Sequence, residues 1–164
     1  MNRPRIKIEW KAADWWMEGI AITIFVGTTL HILSQYRSLP DSIPTHFSFS
    51  GEADSYGPKS SLWWVVGINV ALYGLLTGVA RIPHHFNYLT DISPQNAKRQ
   101  YTASVRLIRY LKMIISCLFA YLSIEMILGA KPETSSELSY MFLPVTLTLI
   151  VGGIIYYLIK VSSK

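Results

Sequence analysis

The chain has 164 residues, is 51% hydrophobic and only 15% charged, and carries a formal net charge of +5. A mean hydropathy of +0.30 is too apolar for an ordinary soluble domain of this size. Buried helices of a soluble bundle keep a polar face and run shorter than about 20 residues, which excludes that class here.

A bilayer span needs about 20 mainly apolar residues. Four windows qualify, roughly Trp15–Ser34, Leu62–Ala80, Leu111–Gly129 and Ser139–Ile159. They predict an all-α integral membrane protein, one domain over residues 1–164, with four transmembrane helices and a folded extracytoplasmic loop between the first two. A basic segment precedes the first window as in a signal peptide. The apolar run is long, however, and no small-x-small cleavage site follows, so it reads as a retained span. Trp15 and Trp16 open it at the depth of an aromatic belt, and Trp63 and Trp64 open the second span at the opposite interface.

Charge sets the expected orientation. Arg3, Arg5, Lys7 and Lys11 precede the first span; Arg81, Lys98, Arg99, Arg106, Arg109 and Lys112 lie between the second and third; Lys160 and Lys164 close the chain. Only Arg37, Lys59 and Lys131 lie in the other two connections. Cytoplasmic flanks carry the excess of Lys and Arg. Both termini are therefore expected in the cytoplasm, with the chain crossing the membrane several times. Charge that flanks spans serves the lipid bilayer as partner and gives no reason to expect nucleic acid.

Between the first two spans lies LPDSIPTHFSFSGEADSYGPKS, within a motif loop over residues 38–60. Pro40 and Pro44 fix two φ angles and turn Leu39 and Ile43 away from helix. IPTHFSFS favours an extended strand, and GEADSYG has the composition of turns. Ile43, Phe47, Phe49 and Tyr56 give the loop apolar mass to press on the helix ends. A turn at Gly51 folds the chain back and brings His46 to Asp54. Ser60 or Ser61 then caps the second span, with Pro58 ahead.

In the second span Asn69 is expected to face another helix, because an amide facing lipid is expensive. Gly74 and Gly78 form a small-xxx-small match that suits close helix packing. The basic loop over residues 81–110 contains DISPQN, read as a helix start with Ser93 as cap and Pro94 in the first helical position. From Gln95 the sequence is helix-compatible into the third span. Glu18, in the first turn of the first span, needs solvation or a partner, and Arg106, Arg109 and Lys112 are candidates at similar depth. AKPETSSELS is a short polar turn, and the fourth span carries Pro144 early and Gly152–Gly153 beyond its middle. Cys117 is a lone packing cysteine.

His46, with Glu52 and Asp54 near it and with His31 and Glu125 at similar depth, offers donors of the types that bind zinc. The plainer expectation is that His46 and Asp54 hold the loop's own turns. His84–His85 fall on the other side of the membrane and read as an interfacial pair. No phosphate-binding glycine loop and no nucleophile elbow occurs, and no cofactor is expected.

Leu39-Pro40, Ile43-Pro44, His46-Phe47, Gly51, Asp54, Tyr56, Gly57 and Lys59, supported by FNYLTDISPQNAKRQY, resemble the signature of a bacterial membrane-protein family of unknown function that includes SdpI-type immunity proteins. Pro58 and Leu89 depart from that pattern. The resemblance implies a membrane-embedded binding or immunity-type protein acting through the loop, with a secreted peptide or envelope component as partner. The alternative is a membrane-embedded enzyme or transporter with a His/carboxylate site at the outer face.

Overall fold

The computed structural model describes residues 3–48, 50–131 and 141–162. Four helices, α1 (Ala12–Gln35), α2 (Ser61–Val79), α3 (Ala97–Leu128) and α4 (Phe142–Ser162), are each long and apolar enough to cross a membrane. The expected all-α class needs one amendment: β1 (Ser42–Phe47) and β2 (Ala53–Pro58) form an antiparallel hairpin between α1 and α2. Phe49, the polar turn over 132–140, the expected start of the fourth span at Ser139, and Lys164 lie outside the described residues.

α3 organises the bundle. α1, α2 and α4 each run closest to it, and α1 and α2 meet through side chains such as Ile32 with Leu62 and Glu18 with Tyr73. Its apolar window is 39% buried, against 6–11% for the other three. Side chains such as Trp64, Ile159 and Leu147 face outward. Hydrocarbon is the solvent that makes such faces stable. At about 1.5 Å per residue, the 32 residues of α3 exceed a hydrocarbon core of about 30 Å. The basic first turns are the surplus, continuous with the span as the sequence pattern anticipates.

The helices alternate in direction. Gln100 Nε2 donates to the Val161 carbonyl at 3.2 Å, which sets the end of α4 beside the start of α3. Both chain ends thus lie at one end of the bundle, the basic end, with the hairpin at the other. α4 is held closely at Gly153, where an added Cβ would lie 2.4 Å from Tyr110 Cε1. Tyr110 itself donates to the Leu149 carbonyl at 2.9 Å.

Two local expectations change. α3 begins at Ala97, with Asn96 rather than Ser93 as N-cap. The Asn96 side chain accepts from Ser93 N–H at 2.9 Å, and Ser93 O accepts from Ala97 N–H at 2.9 Å. That closed turn takes the residues that would have formed the first helical turn. Gly74 and Gly78 mark no close helix approach among the described residues, since an added Cβ at either has nothing within 4 Å.

Candidate functional site

The motif loop is a docked hairpin. Ile43 and Leu62 are fully buried, and Leu39, Ile32, Met126 and Ile127 complete an apolar cluster that Phe47 and Tyr36 flank. Burying a side chain such as Leu39 or Ile43 from water contributes about 1.5–3 kcal/mol. Pro44, also buried, sits in β1 where the ladder becomes irregular, so its missing N–H leaves no gap in regular pairing. Ser48 N–H donates to Glu52 O at 2.8 Å and Gly51 N–H to Ser48 O at 3.0 Å. Gly51 lies at φ 94°, a region that favours glycine. Gly57 keeps close company with Thr45, whose Cγ2 would sit 3.0 Å from an added Cβ.

Lys59 clasps the neck of the hairpin. Its Nζ donates to the Leu39 carbonyl at 3.1 Å and pairs with Asp41 Oδ1 at 3.2 Å. Its backbone N–H reaches Asp41 O at 3.0 Å. Pro40 starts this neck, exposed, while Leu39 beside it is buried. Ser60 stands at the N-cap of α2 without a side-chain capping bond.

His46 Nδ1 lies 2.5 Å from Asp54 Oδ1, with the two side chains 69% and 44% exposed. The irregular register on both sides of His46 lets it reach across. An exposed pair of this kind contributes under about 1 kcal/mol. Among the described residues no three His, Cys, Asp or Glu side chains converge, so His31, Glu52 and Glu125 do not complete a metal set around the pair. Asp54, Ser55 and Tyr56 of β2 are exposed, and among the described residues no third strand pairs with β2.

The densest chemistry lies at the basic end. Asp14 and Glu18 are one turn apart on α1, and Arg106, Arg109 and Lys112 recur every third residue along one face of α3. The two stripes meet. Asp14 accepts from Arg106 Nε at 3.2 Å and from Lys11 N–H at 2.8 Å. Arg109 Nη1 lies 2.8 Å from Asp14 Oδ1, out of line for a hydrogen bond. Lys112 Nζ donates to Glu18 at 2.5 Å and to Thr77 Oγ1 at 3.0 Å, and Tyr73 donates its hydroxyl to the same carboxylate. Asp14, Arg109 and Lys112 are almost fully buried. Buried charges persist when paired and hydrogen-bonded, as Asp14 and Lys112 are, while Arg109 is held by its charge pairing with Asp14. Sequence reasoning reaches Glu18 and its three candidate partners. It misses Asp14, which lies just ahead of the first apolar window and looks like a solvated flank.

A half-open cleft of about 800 Å³ runs beside this group between α1 and α2, with α3 behind it and the N-terminal segment across one end. That segment is strapped down. Arg3 Nη1 donates to Phe86 O at 2.5 Å, and its guanidinium stands 5.7 Å from the Tyr88 ring. Trp10 packs on Trp15 with centroids 4.6 Å apart, and the Arg109 guanidinium lies 4.0 Å from the Trp10 ring centre. Burial pushes the Tyr88 phenol up to about 12. His84 is held below the ordinary imidazole value by loss of surrounding water, then by His85 and Arg5.

Mid-bundle, Asn69 is buried and faces α1 and α3 as expected, beside Thr28, Thr29 and Ser123. Its Oδ1 has no partner among the described residues. The adjoining void of about 10 Å³ is about one water in size.

No curated protein and no solved structure matches the chain. A family model described as a domain of unknown function (DUF1648) matches residues 23–70, which run from α1 through the whole hairpin into α2.

Proposed function

We propose that the chain is a membrane-embedded binding protein of the immunity type, whose hairpin faces the outside of a bacterial inner membrane and takes an extended segment of a secreted peptide or envelope partner along β2. One observation carries this reading: the hairpin is anchored from beneath by Leu39, Ile43 and Pro44 while β2 offers Asp54, Ser55 and Tyr56 to solvent. A rigid strand with an unpaired edge can add another strand, its backbone groups giving affinity and its exposed side chains selectivity. Orientation follows the excess of Lys and Arg at the basic end.

The test is protection. Susceptible bacteria expressing the chain are challenged with secreted membrane-active peptides, and Tyr56→Ala/Asp54→Lys is compared with the unmodified protein. Loss of protection at undiminished folded yield supports the reading; equal protection rejects it. The second reading, an embedded enzyme or transporter, is favoured by the buried Glu18–Lys112 group beside an open cleft. It predicts that Glu18→Gln abolishes protection while the β2 variant retains it.

A further inference from the structure

We propose that the cleft between α1 and α2 binds the headgroup of an anionic glycerophospholipid. The cleft exists because both helices lean on α3 and keep their backbones apart, with the Tyr73–Glu18 hydrogen bond bridging them beside it. Its volume of about 800 Å³ falls within the range of about 300–1,000 Å³ of small-molecule sites. Four cations, Lys7, Arg81, Arg109 and Lys112, line it against one carboxylate, Glu18. Arg109 and Lys112 are engaged by Asp14 and Glu18. Lys7 and Arg81 form no ion pair among the described residues, and both are exposed. The site therefore has a surplus of positive charge at its mouth.

The rest of the lining fits a lipid better than a free anion. Trp15 is 65% exposed and Ile22, two turns further along α1, is 50% exposed. A tryptophan at the mouth suits headgroup depth, and an apolar wall leading from it suits an acyl chain. A zwitterionic headgroup would bring its own cation to a site already rich in cations. A phosphate whose remaining headgroup is neutral would not. Basic side chains near an anionic leaflet each contribute about 1 kcal/mol.

The purified protein in neutral detergent is melted with phosphatidylglycerol, phosphatidylcholine or inorganic phosphate. Phosphatidylglycerol is expected to raise the Tm and the other two to leave it unchanged. Lys7→Gln/Arg81→Gln is expected to weaken the phosphatidylglycerol response about thirtyfold in affinity, ~2 kcal/mol. Arg5→Gln/Lys98→Gln, which removes equal charge from the same end outside the cleft, is expected to leave it intact. A photoactivatable phosphatidylglycerol should label the peptide carrying Trp15 and Ile22. An equal response to phosphatidylcholine or to inorganic phosphate overturns the proposal, as does equal weakening by the two double variants or labelling confined to α4.

Discussion

Lys112 and Glu18 form a largely buried pair whose removal can be measured as a cycle. Their charged atoms are 2.5 Å apart and the Lys112 side chain is only 2% exposed. At an effective dielectric of about 20, two unit charges at that separation attract by about 6–7 kcal/mol. Desolvating the two ions offsets most of this, at several kcal/mol each. The net value of the pair is thus small, while the cost of orphaning either partner is large. Lys112→Ala leaves Glu18 with the Tyr73 hydroxyl and Arg109 Nε at 3.9 Å. Glu18→Gln leaves the ammonium against Thr77. Each single change should cost about 3–5 kcal/mol, and Glu18→Gln/Lys112→Ala should cost less than their sum by at least about 2 kcal/mol. The assay is reversible unfolding of the detergent-solubilised protein by SDS, followed by circular dichroism. The same cycle on exposed His46 and Asp54 should give a coupling under about 1 kcal/mol. Single changes near zero, or additive effects at Glu18 and Lys112, would show that water reaches the pair and refute the reasoning.

The two classes of glycine should separate cleanly. Gly51→Val forces a β-branched residue to φ 94° and should cost at least about 1–2 kcal/mol. Gly74→Val, with nothing within 4 Å, should stay within about 0.5 kcal/mol in the same unfolding assay; the reverse order would sink the assignment. For orientation, single cysteines at Ser50 and Gln95 in a Cys117→Ser background are labelled on intact cells with an impermeant thiol reagent. Ser50→Cys should react and Gln95→Cys should not, and the opposite pattern would place the hairpin inside.

The spans and the hairpin are legible in sequence because both follow from local chemistry. Long apolar runs have one stable form in lipid, Pro40 and Pro44 each fix a backbone angle directly, and Gly51 permits the positive φ of the turn. The His46–Asp54 contact follows from counting residues across a tight turn. Glu18 and its partners are legible because charge at that depth must be matched. What escapes is set by tertiary geometry. The Arg3 strap ends on the carbonyl of Phe86, and backbone acceptors leave no mark in composition. Gly74 and Gly78 match a packing motif, yet the face that packs is fixed by where α3 lies. Gly153 does the work of close approach instead, and only Tyr110 on another helix reveals it. The late start of α3 reflects an Asn96 side chain that closes a turn before the helix can begin.

The central place of α3 has a consequence for biogenesis. Lys112 is 94 residues downstream of Glu18, and synthesis at about 5–20 residues per second delays its arrival by about 5–20 s. α1 and α2 are complete at Val79, before Arg106, Arg109 and Lys112 are made, so Asp14 and Glu18 then lack the cations that pair with them in the folded chain. The nascent chain must hold two helices, their acids near the membrane surface, until the third emerges between them. Assembly is then a late event gathered around one helix. A chain interrupted before α3 would leave two spans with their acids exposed to membrane quality control.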